Sequence, residues 1–176
     1  LVVGHTLATV LEAHYSLPTS IKWPNDVLIN GRKIAGILCQ SDSGLEPPAI
    51  FIGVGVNANF PVRPLETSFR NPATSLLEEL GQEIDLEKFR EHFLNSLECV
   101  LRDFEQQGLE NLIEPIRRRL AWVGEWVTTD TAQGERQVSG TIVGLDGSGR
   151  LLLRNGERTE AFFSGELQRI AAGSSR

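Results

Sequence analysis

Lys22-Trp23-Pro24-Asn25-Asp26-Val27-Leu28-Ile29-Asn30-Gly31-Arg32-Lys33-Ile34-Ala35-Gly36-Ile37-Leu38 reads as strand, turn, strand. Lys22 and Trp23 end an extended run. Pro24-Asn25-Asp26 forces a bend, because proline restricts φ and the Asn and Asp side chains bond to nearby backbone. Asn30-Gly31 is a strong two-residue hairpin signal. Ile34 to Leu38 then reads as a buried strand, with Gly36 where something approaches the backbone closely. Lys22, Arg32 and Lys33 put three cations, with the carboxylate of Asp26, inside twelve residues of a chain whose net charge is −6. Cations gathered on a tight hairpin suit a small carboxylate or phosphate ligand. The competing reading of the charges alone is a solvated hairpin.

Outward from this stretch, Val3, Leu7, Val10, Leu11 and His14 fall on one helical face that ends near Ser16-Leu17-Pro18. Ala49 to Val56 is a continuous apolar run and predicts a central strand buried on both sides. Cys39 is expected to end the strand before it. Phe60 to Pro72 predicts a long loop, of the kind that is often functional. Thr74 to Leu80 predicts a helix stopped by Gly81. Asp85 is a good N-cap for a helix whose apolar stripe runs from Leu86 to Phe104 and stops at Gly108. A short helix follows to about Leu120. Its Arg117-Arg118-Arg119 run is a solvated helix end or a contact for an acidic partner.

Composition changes near Ala121. Short strands over 126–129, 137–145, 151–154 and 158–163, with Asp146-Gly147-Ser148-Gly149 and Asn155-Gly156 as turns, predict a small barrel. The expected fold class is therefore α+β: a mixed or antiparallel sheet backed by helices over residues 1–121, then a barrel over 122–176.

The chain has 176 residues, 40% hydrophobic and 23% charged, which is ordinary for a globular protein. No apolar run approaches the roughly 20 residues of a membrane-spanning helix, so no membrane partner is expected. A pI near 5.1 argues against broad nucleic-acid binding. Cys39 and Cys99 lie far apart and are expected to be reduced, as in a cytoplasmic protein. His5, His14 and His92 are scattered without metal-site spacing, and no metal ligands are expected. Gly53-Val54-Gly55-Val56-Asn57 lacks the third glycine of a dinucleotide fingerprint and opens no helix. Its glycines let a ligand or a neighbouring backbone come close.

The hairpin string resembles the signature of biotin–protein ligases, K-W-P-N-D followed by G-R-K-[IL]-A-G-I-L. Ile52-Gly53-Val54-Gly55-Val56-Asn57, Ala73-Thr74-Ser75-Leu76 and Gly165-Glu166-Leu167 match further family segments in the same order, the last in its SH3-like domain. The resemblance implies ATP-dependent biotinylation of a lysine, through biotinyl-AMP, on a biotin carboxyl carrier protein. ATP and biotin are the implied substrates, with Mg²⁺ accompanying ATP. Lys33 and Asp26 are the implied catalytic pair. Lys33 is a point charge for carboxylate or phosphate oxygens. Asp26 either orients or deprotonates the incoming lysine or closes the turn as an Asx bond. Lys22, Asn25, Arg32, Gly36, Gly53, Gly55, Asn57, Thr74 and Ser75 complete the implied substrate and ATP site. Lys22 is alternatively a structural partner of a carboxylate, and the Asn25 amide holds either a ligand or the turn. The 60–72 loop corresponds to the segment that folds over the adenylate.

The family's Gly/Arg-rich loop, G-R-G-R-x-x-R, is absent before the hairpin, and the chain contains no methionine. The chain is accordingly read as the C-terminal part of a longer ligase, inactive alone. A homodimer through an exposed sheet edge is a further expectation. The alternatives are a lipoate–protein ligase relative and a non-catalytic remnant that only binds partners.

Overall fold

The computed structural model describes residues 1–62, 72–130 and 137–169. Helix α1 (Val2–Tyr15) buries Val3, Leu7, Val10 and Leu11 against the first sheet, and Ser16 ends it in the left-handed conformation. His14 lies past that face, where its ring stacks on His92 with centroids 3.8 Å apart.

The first sheet is antiparallel throughout, in the order β1 (Thr19–Lys22), β2 (Asp26–Ile29), β3 (Arg32–Asp42), β4 (Ala49–Val56). Asn30 and Gly31, with φ of 51° and 74°, make the expected turn between β2 and β3. Val27, Ile29, Ile34, Ala35 and Ile37 share a core with α1 and with Phe89, Phe93 and Leu97 of α3 (Leu86–Gln107).

The expectation for β4 fails. It is an edge strand among the described residues, with Ile52, Val54 and Val56 facing the core. Phe51, Gly53 and Gly55 are exposed. Glycine carries no side chain to bury, so an apolar string with glycine at alternate positions conceals a period-two pattern. Cys39 sits inside β3 rather than at its end. The helix expected from Thr74 starts at Leu76 (α2, Leu76–Leu80), because Ser75 is its cap and accepts from the Glu78 N–H. Asp85 caps α3 through the N–H groups of Glu87 and Lys88, and Gly108 follows its end. Most of the 60–72 loop lies outside the described residues.

After α4 (Glu110–Arg118) come β5 (Trp126–Asp130), β6 (Gln137–Leu145), β7 (Leu151–Asn155), β8 (Arg158–Phe162) and β9 (Gln168–Arg169). They form one antiparallel sheet in the order β8-β7-β6-β5-β9. The two-residue β9 is too short to leave a periodic signal in the sequence. The core of this sheet does not stop at its own strands. Ile21 and Trp23 of the hairpin are buried with Ile116, Val127, Ile142 and Leu151. The Trp23 indole N–H donates to the Gly149 carbonyl at 3.2 Å, and Ile21 bridges Leu120. The hairpin is thus wedged between the two sheets.

Arg118 of the arginine run is exposed, as a solvated helix end would have it, but Arg117 and Arg119 on either side of it are engaged within the fold. Arg117 donates to the Leu145 carbonyl at 2.8 Å. Arg119 pairs with Glu12 of α1 and donates to His5 Nδ1 at 3.3 Å. Arginine can only donate, so His5 carries its proton on Nε2 when neutral. Burial first, and then the Arg119 charge, push the His5 pKa below its ordinary value. Burial pushes Glu12 up, but the bonds from Arg119 and Thr19 outweigh it and hold the carboxyl below its usual range. For both groups the unfolded chain binds protons at a higher pH than the folded one. Stability should therefore fall as pH drops below about 6.5, the unfolded histidine value, with a further loss in the carboxylate range. Urea unfolding at pH 7.5 and 5.5 tests this. His5→Gln should flatten the profile between those values, and an unchanged slope would assign the loss to other groups.

Candidate functional site

The site is built by one irregularity in the hairpin. Asp26 opposes Gly36 and Val27 opposes Ala35, but Leu28 opposes Lys33, so Ile34 is an extra residue in β3. The bulge places Lys33 on the face that carries Asp26, Leu28 and Gly36, while Ile34 stays in the core. Beyond the bulge β3 changes partner. Lys33 N–H donates to the Pro72 carbonyl at 2.8 Å, and Thr74 N–H donates to the Lys33 carbonyl at 2.9 Å.

On that face Lys33 Nζ lies 2.5 Å from Asp26 Oδ1, and Lys22 Nζ lies 3.9 Å from Oδ2. Gly36 makes the room: a Cβ there would stand 3.1 Å from Lys33 Nζ and 3.2 Å from its Cε. Lys22 is buried, and burial is the first cause that pushes its pKa down, partly offset by Asp26 and Glu166. Lys33 is more open, with a side chain 39% exposed. The pair borders a cavity of about 520 Å³ between the hairpin and the second sheet, closed on the far side by Trp122, Glu166, Gln168 and Arg169. A second cavity of about 360 Å³ shares Lys22, Asp26, Lys33 and Glu166 and extends over Pro24 and Asn25.

The other expected residues fall into two groups. Gly36 and Gly55 oppose one another across β3 and β4, and Gly53 follows opposite Leu38, giving the sheet a bare face beside Lys33. A Cβ on Gly53 or Gly55 would meet neighbouring backbone only at 3.5 Å or 3.9 Å, so strand packing alone does not demand glycine there. The second group is engaged in holding the frame. The Asn25 amide donates to the Ile37 carbonyl at 2.8 Å, and its own carbonyl accepts from Ile37. Asn57 donates to the Thr74 carbonyl at 2.9 Å and the Lys33 carbonyl at 3.4 Å. Arg32 turns to Glu79 of α2 at 2.7 Å. Thr74 and Ser75 are buried at the start of α2.

Asn57 accordingly pins the segment that presents Lys33. Asn57→Ala should cost about 1–3 kcal/mol, the penalty for a buried polar contact left unmade. A denaturant midpoint shows it, and an unchanged midpoint would make Asn57 dispensable to the frame.

Trp122, Gln168 and Arg169 were not singled out from the sequence as site residues. The only available signal was Gly165-Glu166-Leu167. A Cβ on Gly165 would fall 2.2 Å from Thr129 Oγ1, and Leu167 is buried in the second core. Between these two anchors, Glu166 is brought to the cavity.

Among the described residues no group of three or more His, Cys, Asp or Glu side chains is placed to hold a metal ion. No described helix is long and apolar enough to cross a membrane.

Comparison with known proteins bears on the family and the fold. Residues 3–57 match the biotin/lipoate A/B protein ligase family, and residues 127–173 match the biotin protein ligase C terminal domain. The bifunctional ligase/repressor BirA of Bacillus subtilis is 31% identical over 163 residues, covering 90% of this chain and 48% of that protein. The biotin–[acetyl-CoA-carboxylase] ligase of Paracoccus denitrificans is 34% identical over 137 residues, covering 77% and 56%. The structure of the Aquifex aeolicus biotin protein ligase in complex with biotin and ATP superposes with a TM-score of 0.84 at 27% identity, covering 96% of this chain and 70% of that one. The chain belongs to the biotin protein ligase family, and it spans about half the length of the curated relatives it matches.

Proposed function

We propose that the chain carries the adenylate-handling part of a cytoplasmic biotin–protein ligase, which attaches biotin to a lysine of a biotin carboxyl carrier protein. Residues 1–121 belong to the catalytic unit and 122–176 to the C-terminal one. The observation that supports this reading is the Lys33–Asp26 pair, seated by Gly36 on the bare sheet face with Lys22 behind it.

In the first half-reaction a biotin carboxylate oxygen attacks the α-phosphorus of ATP, and the bond to pyrophosphate breaks. In the second, the acceptor amine attacks the biotinyl carbonyl, a C–N bond forms, and AMP leaves as the amine gives up a proton. Charge builds on phosphate or carbonyl oxygens in both steps. Lys33 is the exposed cation that reaches those oxygens, a fixed charge aimed where charge develops. Asp26, relieved of Lys33, is placed to receive the incoming ammonium. Mg²⁺ accompanying ATP would be held through the substrate phosphates, where it would neutralise part of their charge. The match to the biotin-specific C-terminal domain favours biotin over lipoate.

Biotin-dependent release of pyrophosphate from Mg·ATP, followed by transfer of labelled biotin to a carrier lysine, tests the proposal. Release with lipoate but not biotin would transfer the reading to the lipoate branch. Release with neither acid by a full-length ligase carrying these residues would refute the ligase reading.

A further inference from the structure

Trp122 has features that the ligation chemistry above does not use. It is a bulky residue at φ 63°. Side chains of this kind seldom adopt that conformation, and it persists only where the surroundings enforce it. Here they do. Ala121 N–H bonds to Ile21, Glu125 N–H bonds to the Trp122 carbonyl, and Gly124 N–H bonds to Ile142. The strained turn aims the indole between two cations from different parts of the chain. Lys22 Nζ lies 5.2 Å from the ring centroid, and Arg169 Cζ lies 4.9 Å from it.

Asp26 faces two ammonium groups, one at each carboxylate oxygen. Lys33 is the partly exposed one, and the proposed chemistry calls it away to the substrate. A carboxylate in a half-closed cavity that loses its partner is strongly disfavoured. Lys22 is already buried beside the other oxygen, but 3.9 Å is a long contact. Beside the field of Glu166, the ammonium has one further hold, the Trp122 ring. The indole face holds it without competing for the carboxylate, because a ring quadrupole attracts a cation and presents no charge of its own.

We propose that Trp122 is a positioning residue that seats Lys22 as the standing counter-ion of Asp26, so that Lys33 can turn to the substrate without leaving Asp26 unpaired. The proposal rests on the ligase reading for its role in turnover, but the seat itself is tested without activity. Trace acetylation with acetic anhydride, read by peptide mass spectrometry, reports the reactivity of each lysine. Trp122→Leu, with Trp122→Met as a second apolar replacement, should raise labelling of Lys22 about tenfold, the loss of a partly desolvated cation–π contact. Trp122→Phe keeps an aromatic face and should stay within about threefold of the parent. Lys33 labelling should change little in any of them. In biotinyl-AMP formation by a full-length ligase carrying these residues, Trp122→Leu should lower kcat about tenfold with the biotin KM nearly constant, and Trp122→Phe should restore most of it. Trp122→Leu combined with Lys22→Met should be no slower than Lys22→Met alone, because the ring acts only through the ammonium. Unchanged Lys22 labelling in the leucine and methionine variants would overturn the seat. Multiplying effects of the two substitutions would overturn the role. A full-length parent that releases no biotin-dependent pyrophosphate would sink the ligase reading, while the labelling still decides whether Trp122 holds Lys22.

Discussion

In a full-length ligase carrying these residues, Lys33→Ala is expected to slow biotinyl-AMP formation about a hundredfold, since removing one preorganised donor from a developing charge costs roughly 3 kcal/mol. The loss should appear in kcat more than in the biotin KM, because the ammonium is needed where charge accumulates rather than where the ring is held. Folding should survive the change. The side chain is partly open, and Asp26 retains Lys22 as a partner. Lys33→Arg should not restore the rate, because the space beside Gly36 fits a compact ammonium, and a planar guanidinium is wider. Rapid-quench measurement of the adenylate separates this step from transfer. A rate within about threefold of the parent would remove Lys33 from the chemistry.

Gly165→Ala should be the most damaging added methyl among the described glycines. Its φ of 149° is one that side chains rarely adopt, and the added Cβ would lie 2.2 Å from Thr129 Oγ1 and 2.7 Å from the Asp130 carbonyl oxygen. One obstacle is backbone, so no rotamer change clears it. We expect a loss of about 3 kcal/mol or more from overpacking and strain. For a chain of this size that lowers the melting temperature by roughly 10 °C. Thr129→Ala in the same chain removes the nearer obstacle and should recover part of the loss. A melting temperature within about 2 °C of the parent would show that the turn relaxes freely. Activity should fall as well, since Glu166 follows directly on this turn.

The long helices and the Asn30-Gly31 turn were legible in the sequence because their signals are local. A cap such as Asp85, a stop such as Gly108 and an apolar stripe all act within a few residues of the structure they make. The candidate site was legible by its wording, as Lys22, Asp26 and Lys33 do meet around one carboxylate. Its far wall was not. Trp122 and Arg169 reach the cavity through tertiary packing, about ninety or more residues from the hairpin, and no spacing rule connects them to Lys22. The roles of Arg117 and Arg119 are hidden for the same reason, since a basic run at a helix end looks solvated until Glu12, His5 and Leu145 are packed around it. The β4 error was of another kind. There the pattern was present, but glycine disguised which positions faced outward.

The extra residue at Ile34 has an arithmetic side. In a regular strand, two positions share a face only when an even number of steps separates them. Lys33 and Gly36 are three steps apart, yet they meet. Lys33 and Gly36 can therefore meet only because β3 carries one residue more than the strand it pairs with. Deleting the extra residue between them would leave the string apolar and strand-forming, with the lysine and the glycine two steps apart on one face and no bulge needed. Distant sequences that keep a lysine here but change the interval to two or four should either have lost the bulge or lost the contact with the aspartate.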